Sequence, residues 1–198
     1  MKNLVFFASG SGTNFQSVID AIEEGRLNAR IAGLITNKNE AYCTKRAEKH
    51  NIPVKVLAPS DFESSGHFDE KLLEILEQWN PYLIILAGYL LKIANPVIEK
   101  YSGQIINIHP SLLPKYGGKG FYGKKVHEAV LKGGETETGC SVHIVTEQFD
   151  EGPILEQRKV PVYQTDTPEQ LAARVLKQEH QLLPEVIANL IEDINYYT

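Results

Sequence analysis

Cysteine, long hydrophobic runs and an excess of basic charge are all scarce in this sequence. Of 198 residues only two are cysteines, Cys43 and Cys140, which is too few for a disulfide framework. No apolar run approaches the roughly 20 residues of a membrane span, and the run at residues 4–8 is too short for a signal-peptide core. A net charge of −5 disfavours a general nucleic-acid or membrane-surface binder. We therefore expect a reduced, cytoplasmic protein that binds small molecules rather than nucleic acid or membrane.

Short apolar segments alternate with segments of helical periodicity along most of the chain. Strands are predicted over residues 4–8, 31–35, 54–57, 82–87 and 105–108. Helices are predicted over residues 15–24, 42–50, 68–79 and 96–101. This alternation is typical of an α/β fold with a doubly wound, mostly parallel, Rossmann-like sheet.

The last third of the chain has a different pattern. Strands at residues 142–145 and 154–162 are separated by a turn at 150–153, which predicts an antiparallel element, and residues 166–169 open a final helix. No linker or composition break is visible. We expect a single domain over residues 1–198.

A glycine-rich segment, Ser-Gly-Ser-Gly-Thr-Asn at residues 9–14, connects the first strand to the first helix. Glycines there let backbone N–H groups face an anion at the helix N-terminus, although a tight turn that binds nothing is also possible. A dinucleotide fingerprint fits less well, because Phe15 replaces its third small residue and Thr36-Asn37 replaces an acidic ribose partner. A monophosphate is favoured.

Asn107 and His109 lie at the end of the strand predicted at residues 105–108, followed by Pro110. The two-residue period of a strand places both side chains on one face. They could merely complete the hydrogen bonding of a loop at the sheet edge. However, open α/β sheets bind ligands at the carboxyl ends of their strands, so we expect a functional site here.

Three further features are ambiguous on sequence alone. Asp150 stands beside glycine and proline, where aspartate is usually part of the turn. Glu179 falls on an apolar stripe of the final helix, where a carboxylate needs a partner or ligand, and Pro184 is expected to kink that helix near residue 180. The glycine- and lysine-rich residues 114–125 are expected to form a mobile lid or an ordinary solvated face.

Several motifs together resemble the glycinamide ribonucleotide formyltransferase family. Residues 107–114, Asn-Ile-His-Pro-Ser-Leu-Leu-Pro, are similar to its N-x-H-P-S-L-L-P signature. The loop at 10–14, Ala-Gly-Tyr at 87–89, Gly-Cys-Ser-Val-His at 139–143 and Asp-x-Gly-Pro at 150–153 follow in the family's order and spacing. The resemblance covers nearly the whole chain.

The resemblance implies a formyltransferase fold and transfer of the formyl group of 10-formyltetrahydrofolate to the amine of 5′-phosphoribosylglycinamide, in purine biosynthesis. It implies a monomer or homodimer, with no metal. Asn107, His109 and Asp150 match the family's catalytic trio. The family's loop that binds the substrate phosphate corresponds to Gly12, Thr13 and Asn14, and its acidic residue at the glycinamide end corresponds to Glu179. The family's folate-binding positions correspond to Leu90, Leu91, Lys92, Ile93, Asn107, His143, Thr146, Glu147 and Asp150.

The sequence departs from the family at three positions that are often basic or polar. Leu91 stands where an arginine is common, Ser64-Ser65 replace a basic residue near Phe62, and Leu176 replaces a polar residue. The segment 116–126 is also longer than in many members.

Other functions remain open. Methionyl-tRNA formyltransferases share the strand-end Asn and His but typically add an RNA-binding domain, and formyltetrahydrofolate hydrolases add a regulatory one. Transfer to a nucleotide-sugar amine, or nucleotide binding without catalysis, is compatible with the same motifs. A metal enzyme using His109, His143 and Asp150 is disfavoured, because the sequence has no short His-x-x-x-His pair.

Overall fold

The structure, a computed structural model, describes residues 1–192. These residues form two compact units, Met1–Ile106 and Asn107–Thr198, of which the second is described as far as Glu192. The expectation of a single domain stays a prediction.

The first unit alternates strands and helices, as the sequence predicts. Its strands are β1 (Lys2–Phe7), β2 (Ala29–Thr36), β3 (Val54–Val56) and β4 (Leu83–Leu86). Its helices are α1 (Thr13–Glu23), α2 (Tyr42–Lys49), α3 (Ser65–Trp79) and α4 (Asn95–Lys100), with a short 3₁₀ turn at Pro59–Asp61. β1 pairs in parallel with both β2 and β4, and β2 pairs in parallel with β3. The parallel arrangement is therefore confirmed.

Burial explains why these apolar segments form strands. Residues 4–7 of β1 and all four residues of β4 are buried, as expected for strands covered on both faces. The helices bury one face each. In α3 that face is Phe68, Leu72, Ile75 and Leu76.

The second unit begins within β5 (Ile105–His109) and continues with α5 (Lys124–Lys132), β6 (Glu137–Ile144), β7 (Ile154–Pro161) and α6 (Pro168–Glu192). β6 and β7 pair antiparallel, which confirms the predicted antiparallel element. Across the described residues the strand order is β3-β2-β1-β4-β5-β6-β7.

Two sequence-based expectations differ from the structure. The loop expected to reach residue 125 ends earlier, because α5 begins at Lys124 and buries Val126, His127 and Val130. β6 begins at Glu137 rather than at residue 142, since its small residues pair closely with β7. α6 continues past Pro184 as one helix of 25 residues, and the kink expected near residue 180 stays a prediction.

Among residues 1–192, no helix combines the length and the apolar character that crossing a membrane requires.

Candidate active site

Asn107, His109 and Asp150 lie together in the second unit. Asn107 and His109 are two residues apart on β5, so both side chains leave the same face of the strand. The amide nitrogen of Asn107 donates to Oδ1 of Asp150 at 3.3 Å, and Nδ1 of His109 lies 3.5 Å from Oδ2 of the same carboxylate. The prediction that Asn107 and His109 lie on one face of the strand is thus confirmed. Asp150, for which the sequence alone predicts only a role in the turn, contacts both side chains.

Asp150 occupies the connection between β6 and β7 with a positive φ of 57°. A non-glycine residue with positive φ is uncommon, although aspartate tolerates this region better than most. Its carboxylate is held by several groups at once, since the backbone N–H of Gly118 also donates to Oδ2 at 2.9 Å.

His143, on β6, also faces the trio and is buried. Its Nδ1 donates to the carbonyl oxygen of Ile144 at 2.9 Å, which leaves Nε2 directed at the site. That Nε2 atom lies 3.1 Å from the amide nitrogen of Asn107 and 3.4 Å from Oδ1 of Asp150. His143 therefore orients Asn107 and Asp150 directly.

The segment after β5 covers His109. The carbonyl oxygen of Tyr116 accepts a hydrogen bond from Nε2 of His109 at 2.8 Å. Ser111 holds the same turn, because its hydroxyl donates to the carbonyl of Lys115 at 2.7 Å. The sequence offers no signal for this contact, since it depends on a backbone atom.

Burial decides the protonation of His109. Desolvation lowers the pKa of His109 below its usual value, and this outweighs the opposing effects of the Asp150 charge and the Tyr116 carbonyl; His143 lowers it further. The Asp150 carboxylate alone would favour a cationic His109, but in the free protein burial is the larger effect.

Asp150 itself remains ionised. Burial raises the pKa of Asp150, but the neighbouring His143 and His109 side chains and the hydrogen bond from the Gly118 N–H together hold it below its usual value. The site thus pairs a neutral imidazole with a carboxylate at neutral pH.

The glycine-rich loop lies in the first unit, between β1 and α1. Gly12 precedes the first residue of α1, Thr13, with a positive φ of 69°. A Cβ added at Gly12 would lie only 2.6 Å from Cβ of Cys43 on α2. Glycine is required here both by the backbone conformation and by the close approach of α2.

Arg46 of α2 is a residue of this loop region that the sequence analysis missed. Its Nε donates to the carbonyl oxygen of Ser11 at 2.8 Å, and its Nη1 donates to the side chain of Gln16 at 3.1 Å. A guanidinium beside a loop that presents backbone N–H groups adds positive charge where an anion would bind. Its position one turn after the buried Cys43 could have indicated that it faces the loop.

The other predicted site residues are distributed over both units. Residues 90–93 follow β4 in the first unit; the N–H of Leu90 donates to the hydroxyl of Ser9 at 3.0 Å, and Ile93 is buried. Thr146 and Glu147 follow β6 in the second unit, and Glu147 is exposed. The structure does not test their expected contacts with folate.

Glu179 is buried on α6, as the apolar stripe in the sequence predicts, with only 7% of its surface exposed. It lies on the same helix as the buried Val175 and Leu182. Its charge acts on Cys140, whose pKa is raised first by burial and then by Glu179. Among residues 1–192, no group of three or more histidine, cysteine or acidic side chains is arranged to hold a metal ion.

Comparison with known proteins identifies the family of this chain. The family model described as formyl transferase matches residues 2–187. The phosphoribosylglycinamide formyltransferase of Escherichia coli is 36% identical, with 94% of this chain and 85% of that protein aligned. The chloroplastic phosphoribosylglycinamide formyltransferase of Vigna unguiculata is 43% identical over 97% of this chain, which spans 62% of the length of that protein.

Solved structures give the same result. Glycinamide ribonucleotide transformylase 1 from Geobacillus kaustophilus superposes with a TM-score of 0.90 and 40% identity, covering 96% of this chain and 98% of that one. The chain belongs to the formyl transferase family. Within that family, the two relatives named above are phosphoribosylglycinamide formyltransferases.

Proposed function

We propose that this protein transfers the formyl group of 10-formyltetrahydrofolate to the amine of 5′-phosphoribosylglycinamide, a reaction of purine biosynthesis. The observation that carries the proposal is the cluster of Asn107, His109 and Asp150 at the end of β5, in a chain of the formyl transferase family. Both reactants are small molecules, and the folate acts as a co-substrate.

The reaction needs groups that stabilise negative charge on the formyl oxygen. The amine nitrogen attacks the formyl carbon, a C–N bond forms, and the carbonyl electron pair moves to oxygen to give a tetrahedral intermediate. Asn107 supplies two amide N–H groups, which in the free protein face Oδ1 of Asp150 and Nε2 of His143, and one of them turns to the formyl oxygen when the substrates bind. A fixed donor of this kind typically contributes about 3–4 kcal/mol to catalysis.

His109 provides the proton transfer. It is neutral in the free protein, so its Nδ1 accepts the proton that the attacking amine loses. The resulting imidazolium is stabilised by Asp150 at 3.5 Å and donates from Nε2 to the Tyr116 carbonyl. The proton then passes to N10 of the folate as the bond from N10 to the formyl carbon breaks and the carbonyl re-forms. No covalent intermediate with the protein is required.

The remaining residues bind and orient the substrates. We assign the substrate phosphate to the backbone of Gly12, Thr13 and Asn14, and the glycinamide end to Glu179. We assign the folate to residues 90–93, His143, Thr146 and Glu147, together with Asn107 and Asp150. Holding both reactants in place removes much of the entropic barrier of a bimolecular reaction. We further propose that the protein acts in the cytoplasm as a monomer or homodimer.

The first experiment mixes purified protein with 10-formyltetrahydrofolate, with and without phosphoribosylglycinamide, and measures loss of the formyl group. We expect rapid loss only when the ribonucleotide is present, with the formylated ribonucleotide as product. Loss without the ribonucleotide would indicate a hydrolase, and no turnover in either case would indicate a different acceptor amine. A second arm uses Asn107→Ala and His109→Ala, in which turnover should fall far more than substrate affinity.

A further inference from the structure

Tyr116 contacts the candidate catalytic histidine through its backbone rather than its side chain. Its carbonyl oxygen lies 2.8 Å from Nε2 of His109. A carbonyl can only accept a hydrogen bond, so Nε2 must carry a proton whenever this contact is made. In a neutral ring the proton-free nitrogen is then Nδ1, which faces Oδ2 of Asp150 at 3.5 Å. The carboxylate at Nδ1 also favours a proton, but 3.5 Å is longer than an ordinary N–H···O hydrogen bond, so the 2.8 Å contact at Nε2 determines which nitrogen of His109 is basic.

The backbone of Tyr116 needs an external anchor to hold this carbonyl in place. Its φ of 56° lies in the left-handed region, which an aromatic residue rarely adopts and which other contacts must offset. The anchor is Glu135, which follows α5: the phenolic hydroxyl of Tyr116 donates to Oε1 of Glu135 at 3.0 Å. Lys115 pairs with the same carboxylate at 2.9 Å.

Gly133 makes room for this anchor. A Cβ added at Gly133 would overlap the phenolic oxygen of Tyr116. Gly133 has an ordinary helical φ of −72°, so its backbone conformation does not require glycine. The lack of a side chain at Gly133 is thus explained by the position of the Tyr116 hydroxyl.

We propose that Tyr116, anchored through its hydroxyl to Glu135, is a positioning residue that fixes His109 in the tautomer with the proton on Nε2. Nδ1 is then left free to take up a proton beside Asp150. The tautomer is a property of the free protein, whereas its effect on formyl transfer rests on the proposed function.

The direct test is the ¹⁵N spectrum of the histidine side chains, recorded without substrates at a pH where His109 is neutral. Wild-type protein should show His109 protonated at Nε2. Tyr116→Phe and Glu135→Ala should give a mixture of tautomers, whereas Glu135→Gln, which keeps an oxygen that can accept from Tyr116, should retain most of the wild-type signal. Tyr122→Phe is the matched control, because Tyr122 lies in the same segment and its hydroxyl accepts a hydrogen bond from Nζ of Lys125 at 2.9 Å.

A second pair of variants tests the anchor by steric means. Gly133→Ala should displace the Tyr116 hydroxyl and alter the tautomer as Tyr116→Phe does. In the double variant Tyr116→Phe with Gly133→Ala, the overlap with the hydroxyl is removed and Cζ of the ring lies 3.3 Å from the added Cβ, so adding the alanine should have a much smaller further effect. This non-additivity separates the anchor from a general loss of stability.

Kinetics then connect the tautomer to the reaction. Tyr116→Phe should lower kcat about tenfold or more, with little change in KM, because a misplaced proton impairs acid–base catalysis. The hydrogen bond to the Tyr116 carbonyl raises the pKa of His109 and so opposes the effect of burial. When that contact is lost, the pKa of His109 and with it the pH–rate profile should move to lower pH. The other titratable groups around His109 are Asp150, His143 and His127.

An unchanged His109 tautomer in Tyr116→Phe, Glu135→Ala and Gly133→Ala would overturn the proposal, whatever the catalytic rates. If the tautomer changes but wild-type protein transfers no formyl group to the ribonucleotide, the proposed function fails while the positioning role stands.

Discussion

Oδ2 of Asp150 lies 3.5 Å from Nδ1 of His109, and the backbone N–H of Gly118 donates to that same oxygen at 2.9 Å. The carboxylate is therefore held in place by the main chain before any proton moves. Because burial lowers the pKa of His109 while Asp150 stays ionised, the pair has room for one additional proton. A site that releases one proton from an amine and returns it to a leaving nitrogen needs this capacity.

Replacing Asp150 by asparagine tests this capacity. Asp150→Asn keeps the size of the side chain but removes the charge that stabilises a protonated His109. We expect kcat to fall by roughly 10²- to 10⁴-fold with little change in KM, measured by steady-state kinetics. Glu151→Gln, an exposed carboxylate at the next position, is the control and should behave as wild type. A nearly normal kcat in Asp150→Asn would reduce Asp150 to a turn residue.

Arg46 should affect the ribonucleotide but not the folate. Its contact with the Ser11 carbonyl fixes the loop and places a positive charge beside it. Because a hydrogen bond to a charged group contributes about 1.5–3 kcal/mol, Arg46→Met should raise KM for the ribonucleotide tenfold or more, at about constant kcat. Arg46→Lys should recover part of the loss. Lys45→Met provides the control, since Lys45 is exposed on the same helix; equal effects on both substrates would argue against a role at the phosphate.

Gly12 and Gly10 offer a matched pair in one loop. Alanine at Gly12 would have to adopt a φ of 69° and would place its Cβ 2.6 Å from Cβ of Cys43, whereas a Cβ at Gly10 meets nothing within 4 Å. The left-handed conformation alone costs alanine about 1–2 kcal/mol, so Gly12→Ala should lower the free energy of unfolding by at least that amount. Denaturant titration of both variants measures the difference. Equal stability of the two would show that α2 adjusts without cost.

His127 should make the folded state sensitive to acid. It is buried on α5, and burial, with a smaller contribution from His109, lowers the pKa of His127 from 6.5 to about 4. A lowered pKa means that the unfolded chain binds the proton first, so stability is present above pH 6.5 and is lost as the pH falls toward 4. Between pH 6.5 and 5 this loss amounts to about 2 kcal/mol.

Urea unfolding of wild type and His127→Gln at several pH values measures this contribution. The variant should lose less stability than wild type between pH 7 and 5, whatever its stability at pH 7. His67→Gln is the control, because the His67 side chain is 57% exposed. Parallel pH dependences for wild type and His127→Gln would contradict the expected shift.

The sequence was sufficient for those parts of the fold and site that depend on local pattern. Buried strands such as β1 appear as continuous apolar runs, and the two-residue period alone placed Asn107 and His109 on one face. Asp150 was different: its residue type and neighbours predict a turn, and only the family resemblance pointed to the cluster in which it lies.

The remaining features depend on contacts that a single sequence does not encode locally. The carbonyl of Tyr116 bonds His109 through a backbone atom, so no side-chain pattern reveals it. α5 was missed because glycines and lysines before it indicate a loop, while its buried face is short. The charge of Asp150 raises the pKa of His109, but desolvation, which depends on tertiary packing, is the larger effect and lowers it.

The two free cysteines fall in different units, Cys43 in the first and Cys140 in the second, and both are fully buried. Burial raises the pKa of Cys43, and raises that of Cys140 to about 12 with a contribution from Glu179. Because only an accessible thiolate reacts, an alkylating reagent modifies either residue only after its surroundings open. The chain therefore carries one internal reporter of opening in each unit, and equal modification rates at both would be the signature of a single cooperative domain.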